Sequence, residues 1–519
     1  MVKRITVLCL VAVLAIGLCA CRSNPPTDSS NLSYVPPTQV QSGSTISLLY
    51  AFGDSFNPYA AKTEQNRKLC SLLYEPLVRV DNVFEAHYAL AQDITLEGTT
   101  CTVDLKNTYF TDGSPVTAND VIHSFNLARA SATAYASYFG GVASVSAAGN
   151  SVVFTLAYSD PQFINLLTFP VLKAGSEGGH NEDGVEIAPI GSGRYYLDST
   201  AKKMLINDNY YGKKGEIKEI LLINAPDDDS VSHYVEVGAC DLYFTDISDG
   251  NIVRMSGKKS SVNLNNLVYI GVNHSKGRLS DPAIRQALSA ALDRTELAKT
   301  PYYGNAVAAP GFFHPDFKPC IGYQTIQLTA DNKICIENLE KIGYNRLDSD
   351  GFYLNEKGDR LEFDLLVNEE NSARVAAAKL ISKQAAEVGI KINVNAVDSE
   401  LYLAAIKANN FELYIGEVKV SQNMDMSELV LPGGRAAFGI LAPKKTTDES
   451  GAASLDYTDV IEGIKKGEDL VSSLATSLIT DMPVIPLLFR SSLLFYSKNV
   501  SDVSGASAYD PLLSINNFI

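Results

Sequence analysis

Between Ser372 and Val394 the spacing of apolar residues changes period once, and that change restricts the fold more than any other feature of the chain. Val375, Ala378, Ala385 and Val388 share one face of a helix that Gly389 can end in the left-handed conformation, after which Ile390, Ile392 and Val394 alternate as a strand. Helix, glycine stop and strand make an α/β unit. Leu361 to Val367 alternates likewise, and Val152 to Ala157 reads as a further strand. Asp281 before Pro282 gives an N-cap and a helix-compatible first position, and Ile284, Leu288 and Ala291 continue at helical spacing to Leu297. Thr117 with Asp120 three residues on is close to a capping box, Asp replacing the usual Glu, and opens a helix through Val121 and Phe125. No fixed-period repeat is visible, which argues against solenoids and propellers. At 519 residues the chain exceeds the size at which one core stops growing, so two or three packed units are expected.

Lys3 and Arg4 precede an uncharged apolar run from Ile5 to Ala20, the layout of a secretory signal and short for a membrane span of about 20 residues. The run ends in Leu18-Cys19-Ala20-Cys21, which resembles the bacterial lipobox. Cys21 is then the lipidation site and mature N-terminus, anchoring the protein to the extracytoplasmic face of the cell membrane; the alternative is an ordinary signal peptide cleaved after a small residue. Residues 1–20 are thus read as the signal and 21–43, rich in Pro, Ser, Thr and Asn, as a disordered tether. The five later cysteines, Cys70, Cys101, Cys240, Cys320 and Cys335, are odd in number and widely spaced. They support neither a full disulfide framework nor a zinc site, and most read as buried small hydrophobes.

A formal net charge of −16 argues against a nucleic-acid partner, because the basic doublets Lys202-Lys203, Lys213-Lys214, Lys258-Lys259 and Lys465-Lys466 are isolated. Catalytic signals fail one by one. Gly53-Asp54-Ser55 resembles the nucleophile block of GDSL esterases, but a serine needs a base; the last histidine is His314, with Gly311 where that family's Asp should stand. Gly191-Ser192-Gly193 opens like a dinucleotide loop, yet Tyr196 occupies the final glycine position. Asp348-Ser349-Asp350-Gly351 imitates a calcium loop with its glycine at the wrong place, so a β-turn is expected. His87, His123, His180, His233, His274 and His314 show no ligand spacing, and any metal site would have to be assembled by the fold. No catalytic residue, metal or cofactor is assigned, and binding is favoured over turnover.

Several strings, in order, resemble a known family. Leu72-Leu73-Tyr74-Glu75-Pro76-Leu77-Val78 is similar to its "YEPL" segment, and residues 109–121, beginning Tyr109-Phe110-Thr111-Asp112-Gly113, to its "F-x-DG-x-PVTA-x-DV" signature. Residues 189–195 resemble its "P-x-GTGPY" turn with Ser192 for Thr and Arg194 for Pro; residues 281–294 resemble "VRQAL...AIDR", residues 385–391 "QL-x-x-x-GI-x-V" and residues 482–487 "PVIPL". On these motifs the chain resembles, from about Ser44 to its C-terminus, the peptide- and nickel-binding solute receptors of bacterial ABC importers.

The resemblance implies an α/β, two-lobed periplasmic-binding-protein-like fold (type II, cluster C) with an extra subdomain inserted in lobe I. Lobe I would span 44–272 with the insertion at about 79–187, lobe II 273–483, and 484–519 would return to lobe I. The hinge would lie near Gly271 to Asn273 and Met482 to Pro486. A peptide would be enclosed between the lobes and passed to an ABC permease, the binding protein acting as a monomer. Nickel or a metal chelate, another small solute, or a ligand-sensing role are the alternatives. The family's amine-anchoring stretch resembles residues 411–425, which puts Asp425 against a ligand ammonium, the alternatives being Glu417 as the acid or a solvated helix cap. Asn423, Met424, Gly433 and Gly434 would flank it, and Phe52, Asp54 and Ser55 would face it from lobe I.

Overall fold

The computed structural model describes residues 45–519 apart from 181, 183–185, 199, 201, 247–257, 321–326, 444–455, 514 and 516–519. The leader, Cys21 and the tether lie outside the described residues. β1 (Thr45–Tyr50) and α1 (Glu64–Leu73, capped by Thr63) come first. The chain then builds an antiparallel sheet from β2 (Ala91–Glu97), β3 (Thr100–Leu105), β4 (Val142–Ala148) and β5 (Ser151–Leu156), in the order β2-β3-β5-β4. Cys101, Val103, Val152 and Phe154 share a core with Phe125 on α2 (Ala118–Ala130), where Thr117 and Asp120 complete the expected capping box. β6 (Tyr195–Leu197), β7 (Lys203–Ile206) and β8 (Glu219–Asn224) return beside β1 in the order β1-β8-β7-β6, with β1 and β8 parallel.

Gly191 and Gly193 have a packing reason. A Cβ on Gly193 would lie 2.3 Å from the Leu72 carbonyl oxygen, so only glycine lets this turn press against the end of α1. Arg194, which stands where the resemblance has proline, is buried and reaches Asp510 at 2.9 Å and the carbonyls of Leu512 and Leu513.

A seven-stranded mixed sheet follows. It is formed by β9 (Leu242–Thr245), β10 (Lys258–Val272), β11 (Ala306–Ala308), β12 (Glu362–Asn368), β13 (Lys391–Val397), β14 (Leu413–Lys419) and β15 (Val484–Tyr496). Its order is β9-β15-β10-β14-β12-β13, with β11 paired to β15. The α/β unit read from the period change is present: a helix over Ser372–Glu387, Gly389 at φ +80°, then β13 parallel to β12. The helix expected from Pro282 to Leu297 is instead two, Pro282–Ala290 and Arg294–Lys299. Buried Arg294 causes the break, since its guanidinium donates to Ser289 O (3.0 Å) and Pro486 O (2.8 Å), while Asp293 caps the second helix at Glu296 N. Asp348 to Gly351 forms the expected turn, Arg360 bonding both aspartates. Cys70, Cys101, Cys240 and Cys335 are buried and free; the side chain of Cys320 lies outside the described residues.

β10 and β15 run through two hydrophobic cores. Val262, Leu264 and Leu494 belong to a core with β1, α1 and β8, whereas Leu267 to Val272 and Val484 to Phe489 belong to the core of the large sheet. Between them the ladder is irregular: Asn263 pairs with Ser491, Leu267 with Phe489, and Arg490 stands opposite the break. The cores therefore part several residues nearer the first core than the 271–273 and 482–486 named above. The subdomain core, from Leu77 to Val171, is separate. Its hairpin tip nonetheless inserts Phe84 beside His314 (ring centroids 4.8 Å) and Phe317 of the large-sheet core.

Candidate functional site

Three cavities open along one stretch of chain, residues 417–436. β14 pairs with β10 as far as Lys419, and Val420 N still bonds Asn265 O. Beyond that point no strand partner among the described residues continues the pairing, Met424 takes φ +54°, and Asp425 Oδ1 accepts from Ser427 N at 2.8 Å to start a short helix, Ser427–Val430. A strand that stops short of a helix leaves polar backbone and side chains facing the space between cores.

The first cavity, about 320 Å³, lies between this stretch and the subdomain segment 137–166. Asn423 Nδ2 donates to Asp160 Oδ2 at 2.8 Å, and Asp425 and Glu428 line the same space beside Tyr158. Burial pushes the Asp160 carboxyl up to about 6 despite hydrogen bonds from Asn423 and Gln162, and the nearby Asp425 charge adds to the rise. Burial also raises the Tyr158 hydroxyl, with Asp425, Asp160 and Glu428 adding to it in that order. The second cavity, about 80 Å³, sets Met424 and Asp425 against Phe313, Phe317, Ile461 and Leu474 and is mostly apolar.

The third, about 370 Å³, is lined by Asp246, Asn266, Asn371, Arg374, Glu417, Lys419 and Arg490. Glu417 is fully engaged: Oε1 accepts from Asn266 Nδ2 (2.8 Å) and Arg490 Nε (2.7 Å), Oε2 from Arg374 (2.7 Å). Burial alone would raise its carboxyl, but Arg490 and Arg374 outweigh it and hold it below the usual range. Lys419 lines both the first and the third cavity.

The structure therefore brings Asn423, Met424 and Asp425 together and places Glu417 in a neighbouring cavity with its charge already matched. Gly433 (φ +84°) and Gly434 shape a turn; a Cβ on Gly434 would meet Glu428 O at 2.5 Å. Phe52 is 64% exposed. Asp54 accepts from Lys62 N, Thr63 N and Thr63 Oγ1 (2.6 Å), fastening the turn ahead of α1, and Ser55 Oγ accepts from Asn57 N. Phe52, Asp54 and Ser55 line none of the three cavities. Sequence reasoning missed Asp160, Arg374, Lys419 and Arg490. Arg490 did carry a signal, as the lone charge in the apolar strand 484–496. Among the described residues Asp81, Glu85 and His87 bring carboxylate and imidazole atoms within 4.8 Å, but Lys318 already pairs with Glu85 at 2.6 Å and His87 with Asp81 at 2.8 Å.

The family model described as "Bacterial extracellular solute-binding proteins, family 5 Middle" matches residues 85–432. The oligopeptide-binding protein AppA of Bacillus subtilis is 23% identical over 442 residues, 78% of each chain. Its structure in complex with a nonapeptide has a TM-score of 0.57 at 19% identity, covering 92% of this chain and 99% of that one. The glutathione-binding protein GsiB of Escherichia coli K12 is 24% identical over 377 residues, 68% of this chain and 70% of GsiB. A nickel ABC transporter structure from Bacillus halodurans has a TM-score of 0.71 at 19% identity, covering 90% and 98% of the two chains.

Proposed function

This chain belongs to the bacterial extracellular solute-binding proteins of family 5, the substrate-binding proteins of ABC importers and not enzymes, and we propose that it captures peptides for import. The observation that carries this reading is the pair of cavities sharing Lys419, about 320 and 370 Å³, each within the roughly 300–1,000 Å³ usual for small-molecule sites. Asp160, Asp425, Glu428 and Arg435 line the first cavity and Asp246, Glu417, Arg374 and Arg490 the third, and the similarity to AppA supports a peptide as occupant. In this reading Asp425 receives the ligand's amine. Asn423 and Met424 shape the pocket, Gly433 and Gly434 fix the turn behind it, and Phe52, Asp54 and Ser55 border the cleft entrance from lobe I.

From the sequence, lobe I is 44–272 with its subdomain at 79–187, lobe II 273–483 and the return 484–519; we place the moving joint at the irregular ladder of residues 263–267 facing 489–491, which moves Leu267 to Val272 and Val484 to Phe489 into lobe II. A ligand touching both sides of that joint would favour the closed state. Cys21 anchors the protein by lipid outside the membrane, from where the loaded form delivers its solute to the permease.

Mass spectrometry of the gently purified protein tests the peptide reading. Co-purifying peptides are expected. Retained nickel or a nickel chelate, with no peptide and no calorimetric response to a peptide pool, would replace peptide by metal as the cargo.

A further inference from the structure

The subdomain meets lobe II at contacts of two kinds. At its hairpin tip Phe84 is buried against His314 and Phe317, and Lys318 reaches Glu85 at 2.6 Å. Asn82 Oδ1 accepts from Asn263 N (2.9 Å) and Asn263 Nδ2 donates to Asp316 Oδ2 (2.7 Å), so the tip is seated on the irregular ladder itself. Asn165 Nδ2 donates to Phe84 O (3.2 Å) and Gln422 O (3.3 Å), and Thr168 Oγ1 to Gln422 Oε1 (2.8 Å), these four residues being buried. Farther along the same segment Asp160 accepts from Asn423 at 2.8 Å. At its end Ser159 N donates to Lys465 O (2.9 Å), and Lys465 Nζ stands 5.1 Å from the centre of the Tyr158 ring.

The outer contact is the easier one to part. Tyr158, Ser159 and Lys465 are half-buried. Lys465 ends the helix Tyr457–Lys465, whose last carbonyls find no donor within the helix; Ser159 N supplies one, and water can replace it. An ammonium over an exposed ring is likewise a weak tie. Withdrawing Phe84 would instead bring a buried aromatic ring into water, which the hydrophobic effect opposes. Tyr158 and Ser159 wall the second cavity together with Ile461, Lys465 and Leu474, and Tyr158 and Asp160 also wall the first. Parting the outer contact therefore opens both cavities along one edge while the tip keeps its seat at the joint.

We propose that Tyr158 and Ser159 form a strap by which the subdomain closes over the end of helix 457–465, parting from it when solute enters or leaves and re-forming behind it. The proposal rests on assigning the subdomain to lobe I and helix 457–465 to lobe II. It makes the inserted subdomain a gate of the cleft, hinged at Phe84 and released at Ser159. Gly467, at φ +95°, turns the chain just beyond the helix and leaves room against the strap: a Cβ there would lie 3.9 Å from Ser159 Oγ and 4.0 Å from its Cβ.

That spacing, 4.0 Å, lies within the roughly 3.5–4.5 Å between the Cβ atoms of a disulfide, so Ser159→Cys with Gly467→Cys in the mature chain should lock the strap. Gly467→Cys alone carries the same backbone strain and is the control, with melting curves to show that both variants fold. In the ligand-free double variant, hydrogen exchange of the residue-159 amide is expected to slow at least about tenfold on oxidation and to recover on reduction. Equal exchange in the two forms, or thiols that stay unlinked under oxidant in the folded protein, would overturn the strap. Lys465→Gln removes the cation with no strain at Gly467 and should quicken Ser159 exchange about twofold to fivefold; no change would overturn the part given to Tyr158. Release of bound trialanine should slow at least about tenfold in the oxidised form. Unchanged release would overturn the gate and leave the peptide reading standing. A wild type that binds no trialanine counts against the peptide reading alone, and the exchange result then decides the strap.

Discussion

Arg490 Nε donates to Glu417 Oε1 at 2.7 Å from the very position at which the β10–β15 ladder is interrupted, and its Nη1 reaches Asp246 at the same distance. One buried guanidinium therefore ties β14 to the end of β9 across the place where the two cores part. Removing one member of a buried ion pair leaves an uncompensated charge, at a cost of about 3–5 kcal/mol. Arg490→Met is expected to lose stability of that order in urea unfolding, and Glu417→Gln in the same background to recover part of it. A loss below about 1 kcal/mol, with no coupling in the double variant, would mean that the pair does not hold the strands together.

Asp160 makes stability depend on pH in an uncommon direction. Its folded carboxyl titrates at about 6, above the unfolded value of 3.8, so the folded state binds more protons between those limits. Stability from this group is full below pH 4 and falls as pH rises through 6. Asp160→Asn should therefore raise the melting temperature at pH 7.5 and leave it little changed at pH 4. Equal shifts at both values would show that burial does not perturb this carboxyl.

The turn after Ile190 offers a paired test of packing against polarity. Gly193→Ala forces a methyl to within 2.3 Å of the Leu72 carbonyl oxygen, and we expect it to cost about 2–4 kcal/mol or to prevent folding. Its neighbour Ser192 is just as buried, but its hydroxyl has no hydrogen-bond partner, so Ser192→Ala should be neutral or slightly stabilising. If the two variants melted together, close backbone approach would not be what this turn requires.

Asp425 is exposed to the first cavity, and among the described residues only one of its carboxylate oxygens is occupied, by Ser427 N. If it takes a ligand ammonium that is desolvated on closure, Asp425→Asn should weaken peptide binding by about 2–5 kcal/mol. N-acetylating the peptide should impose a similar loss on the wild type and a much smaller additional one on the variant, since partners in one interaction are not additive. Additive losses in that four-member cycle would take Asp425 out of amine recognition.

Anchoring is tested at the other end of the chain. Cys21→Ala removes the only thiol that could receive the diacylglyceryl group in this reading, and the protein should move from the detergent phase to the aqueous phase on partitioning. Variant protein that stayed wholly in the detergent phase would rule out lipidation at Cys21.

Local chemistry was legible in the sequence wherever one residue type serves one backbone purpose. The capping box at Thr117 and Asp120, the glycine stop at Gly389 and the strand after it, and the turn at Gly351 each rest on dihedral preferences and hydrogen bonds within a few residues. The break between Pro282 and Leu297 was not legible, because the carbonyl of Pro486 that helps hold Arg294 in place lies far along the chain. The charge state of the site was hidden for the same reason. Whether Glu417 is free to meet a ligand depends on Arg374 and Arg490, 43 and 73 residues away, and the high carboxyl of Asp160 depends on a burial that outweighs the hydrogen bond from Asn423, 263 residues away. Sequence alone determined those local elements, their caps and the resemblance to the family. Only the tertiary structure decided which charges are matched and which stay open to a solute, because desolvation and ion pairing act through space between segments that sequence spacing does not relate.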